Sequence, residues 1–268
     1  MATRKGSIRV GIGGWTYEPW RKSFYPADVA QSRELEYASR HVTSIEVNGT
    51  FYGLQKPAVF AKWRDATPES FVFSLKAPRF IVQRKDLASA GTAIERFLSS
   101  GIAELKAKLG PILWQLAATK AFDPAEMDAF LSLLPATAGS LPLRHALEVR
   151  HASFLNREFL QIARRHGVAV VYEDDDTHPG FADLTSTFAY ARLRRSAAAC
   201  ATGYSLASLK KWSLRAQLWA SGKEPADLPR VVAIGRTAAA PREVFIYFIN
   251  GAKERAPAAA QKLIALLD

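Results

Sequence analysis

Acidic, basic and amide side chains recur at alternate positions near the ends of several short hydrophobic segments. In the segment 44–48, Ser44, Glu46 and Asn48 share one face of a predicted β-strand, because successive side chains of a strand point to opposite faces. This segment therefore predicts a carboxylate, Glu46, beside an amide, Asn48. For this segment alone, an edge strand with a solvated polar face is the competing interpretation.

The same alternation occurs in three further segments. Their polar pairs are Ser74 with Lys76, Glu148 with Arg150, and Arg192 with Arg194. In a parallel barrel, active sites are assembled at the C-terminal ends of the strands. We therefore expect these side chains to converge on one mouth of a barrel.

Two carboxylates among several cations can perform acid–base chemistry. The cations bind an anionic group and stabilise developing negative charge, while a carboxylate moves a proton. Glu46 and Glu148 are the predicted catalytic residues. The alternative is a buried ion-pair network that fills the upper part of the barrel, since buried charges are normally paired.

An aromatic loop follows the first predicted strand, with five aromatic residues between Trp15 and Tyr25. It predicts either a stacking wall for a planar or sugar ligand or an apolar plug of the barrel mouth. The residues predicted to bind substrate are Trp15, Tyr17, Trp20, Asn48, Phe51, Tyr52, Lys76, Gln115, Arg150, Arg192, Arg194 and Asn250.

An acidic run, 173–178, holds four carboxylates and His178 directly after the sixth predicted strand. A divalent metal site is one interpretation, because carboxylates and imidazole are metal ligands. A solvated acidic loop is the favoured one, since adjacent loop residues cannot all converge on one ion. No metal or other cofactor is therefore assigned. Zinc-dependent nuclease chemistry would need more histidines than His151 and His178 at the strand ends.

Strand-like segments alternate with helical ones along the chain, which is typical of parallel βα units. The predicted strands are 8–12, 44–48, 71–76, 112–116, 146–150, 168–172, 188–194 and 244–249, with 231–234 as a competing candidate. A helix is predicted over 92–109, ended by Gly110 and Pro111. The 268 residues are the usual length of a TIM-barrel-like (β/α)8 fold, so we expect one domain over 1–268, irregular in its last units.

Composition and charge indicate which partners the protein binds and in which cellular compartment it lies. A formal charge of +11 favours a small anionic or phosphorylated ligand, with nucleic acid as a further possibility. Cys200 is the single cysteine, which excludes an internal disulfide, and no apolar run is long enough to span a bilayer. These features predict a cytoplasmic protein that does not engage a membrane.

Two functions from different classes remain open. Hydrolysis or isomerisation of a phosphorylated or sugar-containing compound fits a polar, basic barrel mouth. A non-catalytic module that holds single-stranded nucleic acid by stacking and phosphate contacts fits a basic, aromatic rim.

Several motifs together resemble the DUF72 family, also called YecE-like. They are Gly14-Trp15-Thr16-Tyr17, Phe24-Tyr25-Pro26, Glu46-Val47-Asn48, Thr50-Phe51-Tyr52, Phe71 to Lys76, Leu109-Gly110-Pro111, Gln115-Leu116 and Glu148-Val149-Arg150. The resemblance implies a TIM-barrel-like fold and implies no particular activity, since the family has no assigned function. The chain differs from the family pattern at Ala117-Ala118, at 81–84 and at Asn250-Gly251.

Overall fold

The structure of the chain, a computed structural model, describes residues 6–235 and 240–268. Its main sheet is entirely parallel. The strands are β1 Ile8–Gly13, β2 Ser44–Val47, β3 Val72–Lys76, β4 Leu109–Gln115, β5 His145–Glu148, β6 in two segments Ala169–Val170 and Tyr172–Asp174, β7 Phe188–Leu193 and β8 Glu243–Phe248.

The sheet closes on itself at β6. Its first segment pairs with β5 and its second with β7, and the two segments are separated in the chain only by Val171. The Val171 amide donates to the carbonyl of Leu147, which keeps the interrupted strand against β5. The nine hydrogen-bonded segments therefore form an eight-stranded TIM-like barrel, and the predicted fold class is confirmed.

Helices connect the strands of the barrel. They are α1 Glu34–Ala38, α2 Gly49–Tyr52, α3 Pro57–Asp65, α4 Arg79–Val82, α5 Gly91–Leu98, α6 Pro124–Ser132, α7 Arg157–Arg165, α8 Leu206–Ala220 and α9 Ala256–Ile264. Side chains cap three of them: Asp123 accepts from the Glu126 amide, Asn156 from Glu158 and Ser205 from Ser208. No helix lies between β6 and β7 in the part of the chain that is described.

Short 3-10 segments and one hairpin complete the connections. The 3-10 segments are Glu18–Lys22, Gln31–Arg33, Leu87–Ser89, Ile102–Lys108, Ala152–Phe154 and Lys253–Arg255, and the hairpin pairs Thr137–Ala138 with Leu141–Pro142. Among the described helices, none has the length and apolar character needed to cross a bilayer.

Two predicted elements differ from the structure. The helix expected over 92–109 ends at Leu98, and the chain leaves the helical path at Gly101, whose φ is 116°. A side chain at that position would collide with Pro57, so the turn requires a glycine. Gly110, expected to end that helix, lies inside β4, where its missing Cβ lets the chain approach the Phe73 carbonyl.

The competing strand candidate 231–234 is not a strand. The backbone amides of Val231 and Val232 donate instead to the buried carboxylate of Asp183. A segment whose amides bind a side chain cannot use them in a sheet, so its β-branched residues do not extend the barrel.

Candidate functional site

Strand alternation fills the inside of the barrel in layers. Apolar side chains occupy the N-terminal part, including Leu113, Phe188 and Phe245. Above them Tyr247 shares its hydroxyl with Ser44 at 2.6 Å and Ser74 at 2.7 Å. The polar side chains two residues further along the strands therefore lie at the C-terminal end of the barrel, as the sequence predicts.

Arg192 is the centre of this polar end. Its guanidinium binds Glu46 through two hydrogen bonds of 3.0 Å, from Nε to Oε2 and from Nη2 to Oε1, and its Nη1 donates to Glu148. Tyr190 donates its hydroxyl to Glu46 at 2.8 Å, and the Gln115 amide donates to Glu148 at 2.6 Å. We refer to Glu46, Gln115, Glu148, Tyr190 and Arg192 as the ion-pair layer.

The ion-pair layer is sealed from solvent, and its charges stabilise one another. Arg192 is only 2% exposed, and both carboxylates are fully buried. Burial by itself raises the pKa of Glu148, but Arg192 and Arg150 outweigh it and lower that pKa to about 2. Burial would lower the pKa of Arg192, but Glu148 and Glu46 raise it, so the guanidinium stays charged.

A second group of charges lies at the rim above this layer. Arg150 donates to Glu148 at 2.7 Å and to Glu173 at 3.2 Å, while Arg194 binds Glu173 and lies 3.2 Å from Asp175. We refer to Arg150, Glu173, Asp175, His178 and Arg194 as the rim cluster. Burial, followed by the Glu148 charge, raises the pKa of Glu173.

Lys76 lies apart from both groups. Its ammonium is 4.0 Å from the centre of the Phe51 ring, and among the described residues it makes no side-chain hydrogen bond or ion pair. Burial, then repulsion from Arg192, lowers the pKa of Lys76 to about 8. This amine can therefore gain or lose a proton near neutral pH.

The predicted aromatic residues occupy different environments. Tyr52 is 71% exposed, and Phe51 is half-buried under Lys76. Trp15 and Asn48 line a cavity of about 350 Å³ between the ends of β1 and β2, together with Gly13, Gly14, Thr16, Val47, Gly49, Gln55, Trp63 and Lys253. Tyr17 lies beside that cavity, with the Lys253 ammonium 4.6 Å from its ring centre.

Trp20 requires a correction. The sequence placed it in the ligand-binding wall, but its side chain is fully buried and its indole N–H donates to the Lys253 carbonyl at 3.0 Å. Trp20 therefore anchors the aromatic loop to the chain after β8 and does not face a ligand. Asn250 is exposed at the end of β8 and contributes no hydrogen bond to the ion-pair layer or the rim cluster.

The sequence does not predict two residues of the site, Glu173 of the rim cluster and Tyr190 of the ion-pair layer. The sequence predicts a loop at Glu173, yet β6 continues through Asp174, and Glu173 follows the inward-facing Ala169 and Val171 at the same spacing. Tyr190 precedes Arg192 by two positions and shares its face. Both residues continue the two-residue alternation of their strands.

Comparison with known proteins identifies the family. The family model described as "Protein of unknown function DUF72" matches residues 9–268. The chain belongs to the DUF72 family. This family assignment covers nearly the whole sequence and confirms the resemblance drawn from the motifs.

Individual DUF72 relatives agree with this assignment. The chain is 30% identical to the UPF0759 protein YecE of Escherichia coli K12 over 147 residues, which are 55% of this chain and 50% of YecE. It is 34% identical to the UPF0759 protein YunF of Bacillus subtilis 168 over 70 residues, 26% of this chain and 24% of YunF. The matched part therefore spans half or less of these relatives.

Solved DUF72 structures share the fold. A Thermotoga maritima protein superposes with a TM-score of 0.72 at 22% identity, covering 97% of this chain and 99% of that chain. An Enterococcus faecalis protein superposes with a TM-score of 0.71 at 20% identity, covering 97% of this chain and 95% of that chain. At these identities the likeness establishes a common barrel architecture.

Proposed function

We propose that this DUF72 protein is an enzyme that binds a phosphorylated or sugar-containing anion at the C-terminal mouth of its barrel and transfers a proton there. The observation that carries the proposal is the state of Lys76, a nearly buried amine with a pKa of about 8 and no carboxylate partner within the described residues. Such a perturbed group at a strand end of a barrel is typical of an active site.

The pKa of Lys76 suits proton transfer. A group with a pKa close to the working pH is present in both its acidic and its basic form, which is the optimum for general acid–base catalysis. Lys76 can therefore protonate a leaving oxygen or remove a proton from a substrate carbon. Both steps are compatible with a hydrolase or an isomerase.

The same region offers donors for an anion. Arg150, Arg192 and Arg194 are engaged with Glu46, Glu148, Glu173 and Asp175, whereas the Lys76 ammonium makes no ion pair within the described residues. Arg150 Nη1 and Arg194 Nη2 also make no hydrogen bond to described residues. A phosphate or carboxylate oxygen placed beside Lys76 would add a charge-assisted hydrogen bond.

The sequence predicts Glu46 and Glu148 as catalytic residues, but this proposal gives them a different role. A pKa of about 2 keeps Glu148 ionised at neutral pH, which makes it a weak base and an unavailable acid. We assign both carboxylates to positioning Arg192, whose charge lowers the pKa of Lys76, while the charges of Glu46 and Glu148 act in the opposite direction. Gln115 acts on the same site by orienting Glu148.

Titration of Lys76 tests the proposal directly. Reductive methylation with ¹³C-formaldehyde labels the lysine amines for NMR. The signal that is absent from the spectrum of Lys76→Arg belongs to Lys76. We expect that signal to titrate near pH 8 and to shift on adding members of a panel containing inorganic phosphate, sugar phosphates and neutral sugars. The matched control is Lys56→Arg, which replaces an exposed lysine and should leave ligand shifts unchanged.

Two outcomes would contradict the proposal. A Lys76 signal that titrates at pH 10 or above would remove its chemical basis. If no member of the panel shifts the Lys76 signal at millimolar concentration, a binding site for these anions beside the amine is excluded.

The exposed ring of Tyr52 favours a second candidate, a non-catalytic nucleic-acid-binding module. A 71% exposed aromatic next to Phe51 and Lys76 is a surface on which an unpaired base can stack. A short single-stranded oligonucleotide in the same panel separates the candidates. Binding that weakens steeply with salt and is unchanged in Glu46→Gln would favour the module.

A further inference from the structure

The rim cluster contains a group of side chains that the proposed chemistry does not use. Glu173, Asp175 and His178 each direct one potential ligand atom into a common space, with all three atoms within 4.8 Å of one another. Among residues 6–235 and 240–268, no other three acidic, histidine or cysteine side chains converge in this way. We propose that these three residues bind a divalent transition-metal ion.

Glu173 supplies the decisive observation. Its side chain is 1% exposed, and its Oε1 atom accepts from Arg150 and Arg194. Its other oxygen, Oε2, is buried and has no hydrogen-bond partner in the described structure, although it lies 3.9 Å from His178 Nδ1. A buried carboxylate oxygen without a donor is costly, and a cation in that space would satisfy it.

The distances suit a small ion. Metal–ligand bonds of about 2.1 Å place neighbouring donor atoms roughly 3.0–3.5 Å apart in octahedral or tetrahedral sites. His178 Nδ1 lies 2.9 Å from Asp175 Oδ2 and 3.9 Å from Glu173 Oε2, so the observed spacings bracket this range. Side-chain shifts of less than about 1 Å would complete the site.

The local chain holds Asp175 in place for this role. Its Oδ1 atom accepts from the Thr177 amide at 2.9 Å and from the Thr177 hydroxyl at 2.8 Å. This leaves Oδ2 facing His178. Asp175 and His178 are partly exposed, so an ion held here keeps coordination positions open to water or to a substrate oxygen.

The donor set indicates the class of metal. One imidazole with two carboxylates favours Mn²⁺, Fe²⁺, Co²⁺ or Zn²⁺, whereas Mg²⁺ and Ca²⁺ prefer sites made of oxygen alone. Arg194 is the competing cation, because its Nε lies 3.2 Å from Asp175 Oδ2. Removal of its charge should therefore tighten metal binding.

Equilibrium binding tests the inference without turnover, so its outcome is independent of the proposed function. The untagged, chelator-treated chain would be titrated with Co²⁺ and Zn²⁺ by calorimetry, and with Co²⁺ by visible absorption. We expect one ion per chain and a Co²⁺ d–d spectrum. His178→Ala should weaken binding by at least about 100-fold, more than the loss of an outer-sphere partner costs. Arg194→Gln should strengthen it several-fold.

The chain offers a matched control. His166 Nε2 lies 2.7 Å from Asp128 Oδ1, which makes a histidine–aspartate pair at the end of α7, before β6 begins, whereas the rim cluster lies at the C-terminal end of β6. His166→Ala should leave the affinity unchanged. No saturable binding by the wild-type chain, or wild-type affinity in His178→Ala, would overturn the inference. Because Glu173→Gln removes a buried ion partner, the partly exposed His178 is the safer site for the decisive substitution.

Discussion

The ion-pair layer and the rim differ in how completely their charged atoms are paired. In the layer, all four oxygens of Glu46 and Glu148 and all three nitrogens of the Arg192 guanidinium have partners. Near the rim, within the described residues, the Lys76 ammonium and Glu173 Oε2 have none. Paired buried charges hold the barrel together, whereas unpaired ones retain the capacity to bind or react.

Substitution of Arg192 should have the largest effect. Arg192→Met leaves the buried Glu46 without a cation and Glu148 with Arg150 alone, and we expect a loss of about 3–5 kcal/mol in the free energy of unfolding or a failure to fold. Urea unfolding measures the change. The control is Arg40→Ala, which removes an exposed pair with Glu36 at 3.2 Å and should cost less than about 1 kcal/mol. Equal losses in the two variants would contradict a structural role for the layer.

Acidification should have the second-largest effect, because it weakens the ion-pair layer. Because the folded pKa of Glu148 is about 2, below its ordinary value of 4.5, its contribution is complete above pH 4.5 and disappears as the pH falls towards 2. The shift corresponds to about 3 kcal/mol. Unfolding free energies measured across this window should fall less steeply in Glu148→Gln. An unchanged slope would mean that other carboxylates carry the acid sensitivity.

Removal of Lys76 should have the smallest effect and the opposite sign. Its folded pKa of about 8 lies below the ordinary 10.5, so the unfolded chain binds more protons between these values and stability rises with pH there. Below pH 8 the fold carries the full penalty. The shift corresponds to about 3 kcal/mol, and loss of the cation–π contact with Phe51 offsets about 1 kcal/mol of it. Lys76→Met should therefore stabilise the protein at pH 7 by about 2 kcal/mol and abolish the rise between pH 8 and 10.5.

The corresponding control is Lys56→Met on the exposed surface, with little expected change. If Lys76→Met lowers stability at pH 7, the ammonium is satisfied in the folded state. The contrast between the layer and the rim would then be lost.

Much of the site follows from the two-residue repeat of a strand. This repeat places Glu46, Glu148 and Arg192 on inward faces, and parallel pairing brings those faces together. The same repeat does not reveal where a strand ends, so the sequence predicts a loop at Glu173 although this residue extends β6. Strand boundaries depend on pairing with β7, which is a tertiary contact.

The aromatic loop shows a different limit of sequence reasoning. Trp15, Tyr17 and Trp20 have similar chemistry and spacing, but only the fold determines which one is buried. Trp20 is fixed by a hydrogen bond to Lys253, 233 positions away in the chain. Likewise, the environment of Lys76 depends on Phe51, which is placed by the turn after β2. Such long-range partners leave no local pattern.

The long sequence separation between Arg192 and Glu46 has a consequence for folding during synthesis. Glu46 and Arg192 are 146 positions apart, so the carboxylate on β2 cannot meet its guanidinium until the chain has been synthesised through β7. A nascent chain that ends before β7 would have to keep that acidic group hydrated or protonated. Closure of the barrel and neutralisation of its interior are thus coupled, late events.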